Sequence, residues 1–508
     1  MSGEIIKNMI FIFIICAIVS AIAIRAAVNL VQTLSIVDRP GEGHKLHDSN
    51  TPFVGGVGLL AALCFTFVVL FSFYSEIPRN WLILGLCSTI IFFTGFIDDT
   101  IRLSYKPRLL IQAIVALIMV WGGDMMLSDL GGLKWGQPLQ LDEWFAIIFT
   151  VFAVIGGINA INMIDGIDGL SGSISLVSLL LIGVVTFIAG DQQNLLLIIS
   201  LAGGMVGFLY YNLRYAKKRY ARVFLGDNGS MLIGFILAWL LIDLSQGPNP
   251  AMTPITAVWL FAIPLLDIVG VMLRRAWLGQ SPFMPDHHHL HHMFLKAGFF
   301  VSEITFIIVL LHFLFGIIGL MGLYLGVSEF IMLLGFVLVF LGYFLLTLRP
   351  WHFVSMLRHL RILFRTRLGF APPASSGTFF GNFTARETEN IAKTINEELG
   401  PDVNFSIRVF EQVSARQNSE KYYAITLNVW LAKENCSTEE RLKQQIALLQ
   451  QQLKGRRGIH LRILVARNKD FDLRAYSSGS AFGESLIASR RGLGPQALTF
   501  EVTYWHLD

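Results

Sequence analysis

The chain has 508 residues, 54% of them hydrophobic and only 15% charged, against roughly 25% charged in an ordinary soluble domain. The apolar residues come in long runs, which excludes a soluble enzyme throughout and reads as a multi-pass membrane protein. The net charge of +4 is small, and the four cysteines (Cys16, Cys64, Cys87 and Cys436) include no CxxC pair. No nucleic-acid partner, disulfide framework or cysteine-based zinc site is expected.

Taken in chain order, eleven segments are long and apolar enough to cross a bilayer: 9–31, 53–74, 81–97, 109–127, 144–162, 170–189, 194–213, 224–244, 253–273, 303–326 and 329–348. Val19-Ser20-Ala21 faintly resembles a cleavage site, but a preceding region with only Lys7 and ten further spans make the first segment an uncleaved span. The connections sort by charge. One set holds thirteen basic residues: Arg39, Lys45, Arg102, Lys106, Arg108, Arg214, Lys217, Lys218, Arg219, Arg222, Arg274, Arg275 and Lys296. The alternate set holds only Arg79 and Lys134. The positive-inside bias places the first set in the cytoplasm, with the N-terminus outside and the C-terminus inside. Arg349, Arg358, Arg361, Arg365 and Arg367 after the last span agree.

Composition changes beyond about residue 370, where APPASSG (371–377) reads as a linker. Four alternating stretches (404–413, 421–432, 460–468 and 499–507) predict strands, and Ser437 with Glu440 opens an amphipathic helix over 437–455. The expected architecture is an all-α polytopic membrane domain over 1–348, a basic linker over 349–377 and a cytoplasmic α/β domain over 378–508. The last carries no catalytic motif and reads as a structural or partner-binding appendage.

Polar clusters interrupt the apolar chain, all on the predicted cytoplasmic face. In DRPGEGHKLHDSNTPFVGG (38–56), Lys45 and His47 stand near the membrane, where they could meet an anionic headgroup or simply follow the charge bias. In GFIDDTIRLSYKPR (95–108), the adjacent Asp98 and Asp99 want a cation or a shared proton, with Lys106 available to pair a phosphate; a capped, solvated span end is the bland alternative. In NAINMIDGIDGLSG (159–172), Asn159, Asn162, Asp165 and Asp168 recur every three residues and form a stripe of oxygens on a helix. Such groups at the mouth of an apolar span are costly unless satisfied. In VFLGDNGSMLIG (223–234), Asp227-Asn228-Gly229 is either a turn or the start of a span, where an aspartate can hold Mg²⁺ and free amides can meet phosphate. PDHHHLHH (285–292) offers His287, His288, His289, His291 and His292. Zinc would want nitrogen and sulfur ligands, whereas the oxygen-rich clusters suit Mg²⁺ or Mn²⁺, so imidazoles near Arg274 and Arg275 better suit a nucleotide diphosphate.

In order along residues 30 to about 345, HKLHDSNTPFVGG, GFIDDT, NAINMIDGIDGLSG, FLGDNGS and SPFMPDHHHLHHMFLKAGF resemble the motifs of the polyprenyl-phosphate N-acetylhexosamine-1-phosphate transferases, glycosyltransferase family 4. The likeness is strongest to the bacterial branch that loads N-acetylglucosamine-1-phosphate onto undecaprenyl phosphate, whose His-x-His signature is matched by His289 and His291. The resemblance implies transfer of the sugar phosphate from a UDP-N-acetyl sugar to undecaprenyl phosphate, with release of UMP. It implies a site on the cytoplasmic face of the bacterial inner membrane, at the start of a cell-surface glycan such as O-antigen. It makes Asp227 the main Mg²⁺ (or Mn²⁺) ligand, with Asn162 second, and gives catalytic roles to Asp98, Asp99, Asp165 and Asp168. It gives substrate contacts to Lys45, His47, Lys106, Asn159, Arg274, His289, His291 and His292. The remaining partners are membrane lipid and, as an open assembly, a second copy in a homodimer.

Two rival classes stand beside this reading. A secondary transporter with a cytoplasmic regulatory domain would draw on Asp267, about 10 Å deep at ~1.5 Å per residue from Arg274. The one-sided clustering of polar residues and the lack of an internal repeat oppose it. A scaffold with a degenerate site is opposed by the intact Asp98, Asp99, Asn162 and Asp227.

Overall fold

The computed structural model describes residues 3–33, 51–73, 76–214, 221–277, 279, 289–348, 353–354, 356–357, 360–361, 403–413, 421–431, 459–467, 486–487 and 499–505. The chain divides into two units, one of Met1–Ala276, Ser281–Pro285 and Val301–Leu348, the other of Trp277–Gln280, Asp286–Phe300 and Arg349–Asp508.

The first unit is a helical bundle: α1 (Gly3–Thr33), α2 (Gly55–Phe73), α3 (Arg79–Ile101), α4 (Tyr105–Gly123), α5 (Glu143–Ile164), α6 (Leu170–Ala189), α7 (Gln192–Asn212), α8 (Gly226–Asp243), α9 (Pro254–Leu260), α10 (Ala262–Trp277), α12 (Val301–Tyr324) and α13 (Glu329–Leu348). In hydrocarbon a backbone must satisfy its own polar groups, which is why apolar runs of this length become helices. Among the described residues, ten helices are long and apolar enough to cross a membrane, and α9 with α10 makes an eleventh if counted as one broken span.

α8 lies at the centre and packs on α2, α3 and α5. Between α7 and α1 the approach is close because side chains are missing. A Cβ on Gly203 would lie 2.3 Å from the Phe13 carbonyl oxygen, and one on Gly207 would lie 2.5 Å from that of Ala17. Small residues at such contacts are the usual means of packing helices where no water drives them together.

Asp98 and Asp99, expected at the end of the third span, lie in the last turn of α3, which runs on to Ile101. One expectation shifts. The single span expected over 253–273 is broken by 86° between α9 and α10. Pro264 explains the break: it has no N–H to offer the Leu260 carbonyl, and its ring clashes with that carbonyl. The freed carbonyl accepts from Ser178 Oγ at 3.2 Å, and the same hydroxyl pairs with His312 Nε2 at 2.8 Å. Asp267, on which the transport reading drew, is 2% exposed and accepts from Tyr343 Oη at 2.7 Å.

The second unit holds α11 (Leu290–Lys296) and the strands β1 (Val403–Val413), β2 (Lys421–Leu431), β3 (Ile459–Arg467), β4 (Leu486–Ile487) and β5 (Thr499–Trp505). Strand order is β1-β2-β3-β5-β4; β1–β2 and β4–β5 are antiparallel, β2–β3 and β3–β5 parallel. The four strands expected from alternation coincide with β1, β2, β3 and β5. The two-residue β4 is too short to leave a periodic signal. The helix expected at 437–455 lies outside the described residues.

Candidate active site

The site is built around the start of α8. Residues 51–56 run beside residues 223–226: Phe224 N–H donates to the Pro52 carbonyl, and the amides of Gly55 and Gly56 donate to the carbonyls of Phe224 and Leu225, at 3.0, 3.0 and 3.1 Å. The rings of Phe53 and Phe224 face each other at 5.4 Å. From the other side comes α3. A Cβ on Gly95 would lie 2.4 Å from the Asp227 carbonyl oxygen, and one on Gly56 would lie 2.0 Å from Asn228 Oδ1. Three separated motifs meet backbone to backbone here because those glycines carry no side chain.

Asp99 fastens this junction. Its Oδ1 accepts from the Asp227 amide at 2.9 Å, and its Oδ2 accepts from the Asn228 amide at 3.0 Å and from Asn228 Nδ2 at 2.5 Å. Asn228 Nδ2 also donates to the Phe53 carbonyl at 2.9 Å. A carboxylate at a helix start is favoured by the unpaired amides and the helix dipole. The anion expected there was a substrate phosphate on free amides; the structure corrects this, since Asp99 already occupies the Asp227 and Asn228 amides.

Asp98 points elsewhere. It is 5% exposed, accepts from the Leu103 amide at 2.7 Å and pairs with Arg108 Nη1 at 2.8 Å. Arg102 makes this possible by adopting φ of 53°, which closes the helix with its amide on the Asp98 carbonyl. Asp227 accepts from Asn162 Nδ2 at 2.6 Å, and the same amide reaches Ser230 Oγ at 3.0 Å. Asp98 and Arg108 are charged neighbours of Asp227. Asp165 accepts from Ser171 Oγ at 2.5 Å. Asp165 keeps some surface exposure, yet its carboxyl is packed among protein atoms. That burial is the first cause pushing it up to about 7; the Ser171 bond pulls it down, and the charges of Asp227, Asp99 and Asp168 push it up again.

Asp168 and Asn159, also expected at the site, are tied into the scaffold. Asp168 Oδ2 accepts from Arg214 Nε at 2.6 Å and from the Ala221 amide at 3.1 Å, while its carbonyl accepts from Thr305 Oγ1 at 3.2 Å. Beside it Asn212 accepts from the Gly169 amide and donates to the Val223 carbonyl, joining the α5–α6 turn to the α7–α8 connection. Asn159 Nδ2 donates to Gln112 Oε1 at 2.7 Å, a link between α5 and α4. Lys106 is exposed at the second position of α4, and Arg274 is buried in the last turn of α10. Lys45, His47, His287 and His288 lie outside the described residues. In the second unit, His289 caps α11 and His291 and His292 lie in its first turn; the rings of His291 and His292 are 4.2 Å apart. His289 and His291 are buried.

The sequence reading missed the partners that assign these acids their places: Arg108, Asn228, Gln112, Ser171 and Arg214. Arg108 and Ser171 follow Asp98 and Asp165 by ten and six residues, but the other pairings bridge 46 to 129 residues, and no local spacing announces them.

The set suits a divalent cation. Asp227 has the charges of Asp98 and Arg108 beside it and also lies near Asp165, and like charges so placed call for a cation or a shared proton. Among the described residues no group of three or more His, Cys, Asp or Glu side chains is placed to hold a metal ion. Mg²⁺ does not need one, since it commonly takes one or two carboxylates and fills its octahedron with water and substrate phosphate.

Comparison with known proteins gives two concordant results. The family model described as Glycosyl transferase family 4 matches residues 81–245, which include every acid of this site. The undecaprenyl-phosphate alpha-N-acetylglucosaminyl 1-phosphate transferase of Escherichia coli strain K12 is 35% identical over 347 residues, covering 68% of this chain and 92% of that protein. The proteins of that name from Yersinia pestis and Pasteurella multocida are 34% and 36% identical over 357 and 334 residues, covering 70% and 65% of this chain and 94% and 91% of theirs.

Proposed function

Because the chain belongs to glycosyl transferase family 4, among the undecaprenyl-phosphate alpha-N-acetylglucosaminyl 1-phosphate transferases, we propose that it transfers N-acetylglucosamine-1-phosphate from UDP-N-acetylglucosamine to undecaprenyl phosphate. An oxygen of the lipid phosphate forms a bond to the phosphorus that carries the sugar. The bond from that phosphorus to the bridging oxygen breaks, and UMP leaves. The observation that carries this reading is the junction of Asp98, Asp165 and Asp227 at one end of an apolar bundle, where a lipid acceptor can stay in the bilayer and offer only its headgroup.

Two anionic phosphates must approach, so catalysis is mostly positioning and charge compensation. Asp227, oriented by Asn162, would hold a divalent cation, Mg²⁺ or Mn²⁺, which when bound offsets the charge that builds up on the phosphates. Asp98, held by Arg108, faces the acceptor and takes its residual proton. A phosphomonoester has its second pKa near ~6, so most of it arrives as the dianion at pH 7. Asp165 contacts the cation or the donor. Asp99 and Asp168, whose carboxylates are taken by backbone amides and Arg214, act by holding α8 and the α5–α6 turn in place. Lys106 meets phosphate from the exposed start of α4, and Lys45 and His47 serve the headgroup. His289, His291, His292 and Arg274 hold the donor diphosphate.

The site faces the cytoplasm of a bacterial inner membrane in this reading, and the α/β region over 378–508 is a cytoplasmic appendage. The test is UMP release by the purified full chain with undecaprenyl phosphate and Mg²⁺, offering UDP-GlcNAc, UDP-GalNAc and UDP-MurNAc-pentapeptide in parallel. Release with UDP-GlcNAc alone supports the proposal. Release only with another donor corrects the sugar, and no release with any donor, with Mg²⁺ or Mn²⁺, overturns the transfer reading.

A further inference from the structure

The relatives cover about two thirds of this chain, and the residues that follow the last span make contacts of their own within the second unit. Phe353, Val354, Leu357 and Arg361 recur at helical spacing and are all buried. Arg361 is 5% exposed, although arginine is seldom buried without a partner. Three of its contacts are in the turn that ends α11. Its guanidinium carbon lies 5.2 Å from the centre of the Phe299 ring and 5.1 Å from that of Phe300, and its Nη1 donates to the Gly298 carbonyl.

That turn is already a helix stop. Gly298 adopts φ of +88°, its amide returns to Leu295, the Phe299 amide returns to Phe294, and the Phe294 and Phe299 rings meet edge to face at 5.0 Å. α11 has only seven residues, too few to be stable by itself. Its first turn carries His291 and His292, with His289 as the capping residue. The cation at its carboxyl end and the two aromatic contacts therefore brace the short element on which the histidines sit.

We infer that Arg361 is a positioning residue for donor binding: by clamping Gly298–Phe300 it fixes α11 and with it His289, His291 and His292. The inference rests on the reading that those histidines hold the donor diphosphate. The chemistry calls for arginine. Only a planar guanidinium can stack on two rings while donating in its own plane, whereas a lysine ammonium is a compact point charge.

The experiment compares Arg361→Ala, Arg361→Lys, His291→Ala and, as a charge control in the same tail, Arg367→Ala, each in the full chain. It measures kcat, KM for UDP-N-acetylglucosamine and KM for undecaprenyl phosphate separately. The expected result is a donor KM raised about tenfold in Arg361→Ala and by less in Arg361→Lys, with acceptor KM and kcat within about twofold and Arg367→Ala unchanged. A normal donor KM in Arg361→Ala beside a raised one in His291→Ala overturns the inference and leaves the histidine reading standing. A normal donor KM in both variants removes the histidine reading and the inference with it. Equal damage to both KM values and kcat in Arg361→Ala and Arg361→Lys, or failure of both to fold, makes the residue a general structural support and also overturns the inference.

Discussion

Replacing Gly95 with alanine tests the geometry of the junction with a single carbon atom. The added Cβ would lie 2.4 Å from the Asp227 carbonyl oxygen and 2.5 Å from both the amide nitrogen and Cα of Asn228. All three are backbone atoms of the first turn of α8, so no side chain can swing aside. Ordinary contact begins near 3.4 Å, and α3 and α8 must part by about 1 Å. Asp98 and Asp99 follow Gly95 on α3 by three and four residues and move with it. The bonds from Asp99 to the Asp227 and Asn228 amides, now 2.9 and 3.0 Å, then lengthen beyond bonding distance. A displacement of that size at a reacting centre costs about a hundredfold in rate, and overpacking costs about 1–3 kcal/mol of stability. The assay is UMP release in detergent at saturating substrates, with a thermal melt of the same sample. Gly156→Ala is the control, since its Cβ would meet nothing within 4 Å and alanine favours helix by about 1 kcal/mol. A Gly95→Ala enzyme within threefold of the parent would refute the reasoning, because the two helices would then have room that the structure denies them.

Asp227→Asn should lower kcat by about 10²–10³-fold, and a chelator should abolish turnover of the parent until Mg²⁺ is restored; an active Asp227→Asn enzyme would remove the metal assignment. Asp99→Asn should behave differently. Its amide can accept through only one oxygen while its NH₂ faces the α8 amides, so a melt should show about 2 kcal/mol lost and the Mg²⁺ concentration for half-maximal activity should stay close to that of the parent. Ser178→Ala strips the Leu260 carbonyl of its donor at the break in the ninth span and should cost about 1 kcal/mol with turnover intact, since hydrogen bonds between membrane helices average less than their isolated worth.

The spans were legible because bilayer thickness imposes a length that twenty apolar residues declare on their own. The polar motifs were legible as places, since carboxylates and amides at a span end are too costly to be idle. What the acids do was not legible. Asp98 and Asp99 are neighbours in sequence, yet one turns to Arg108 and the other to the start of α8. The choice is made by Gly95 and by the left-handed Arg102, and neither is marked in a periodicity. The break between α9 and α10 had its signal in Pro264, which a hydropathy window averages away. Asp168 read as one more acid in the three-residue stripe of 159–168, but the stripe leaves the helix at Ile164, and beyond it helical spacing no longer predicts direction.

The partners divide the acids more sharply than their positions do. A carboxylate whose two oxygens already accept from backbone amides has little left to offer a substrate, and its charge is offset by fixed dipoles. Asp99 is in that state, Asp168 engages Arg214 and the Ala221 amide through one oxygen, and Asp98 commits its two oxygens to the Leu103 amide and Arg108. Asp227 instead leans on the Asn162 side-chain amide, with Asp98 and Arg108 as charged neighbours, and Asp165 adds its own charge nearby and accepts from a hydroxyl. Asp98, Asp99 and Asp168 therefore stabilise the frame whether or not substrate is present, while Asp165 and Asp227 carry less compensation in a poorly solvated place. Such charge is destabilising to the resting protein, and under the proposed function it would become favourable when a cation arrives with its phosphates, so the arrangement that weakens the empty site would give the loaded one its binding energy.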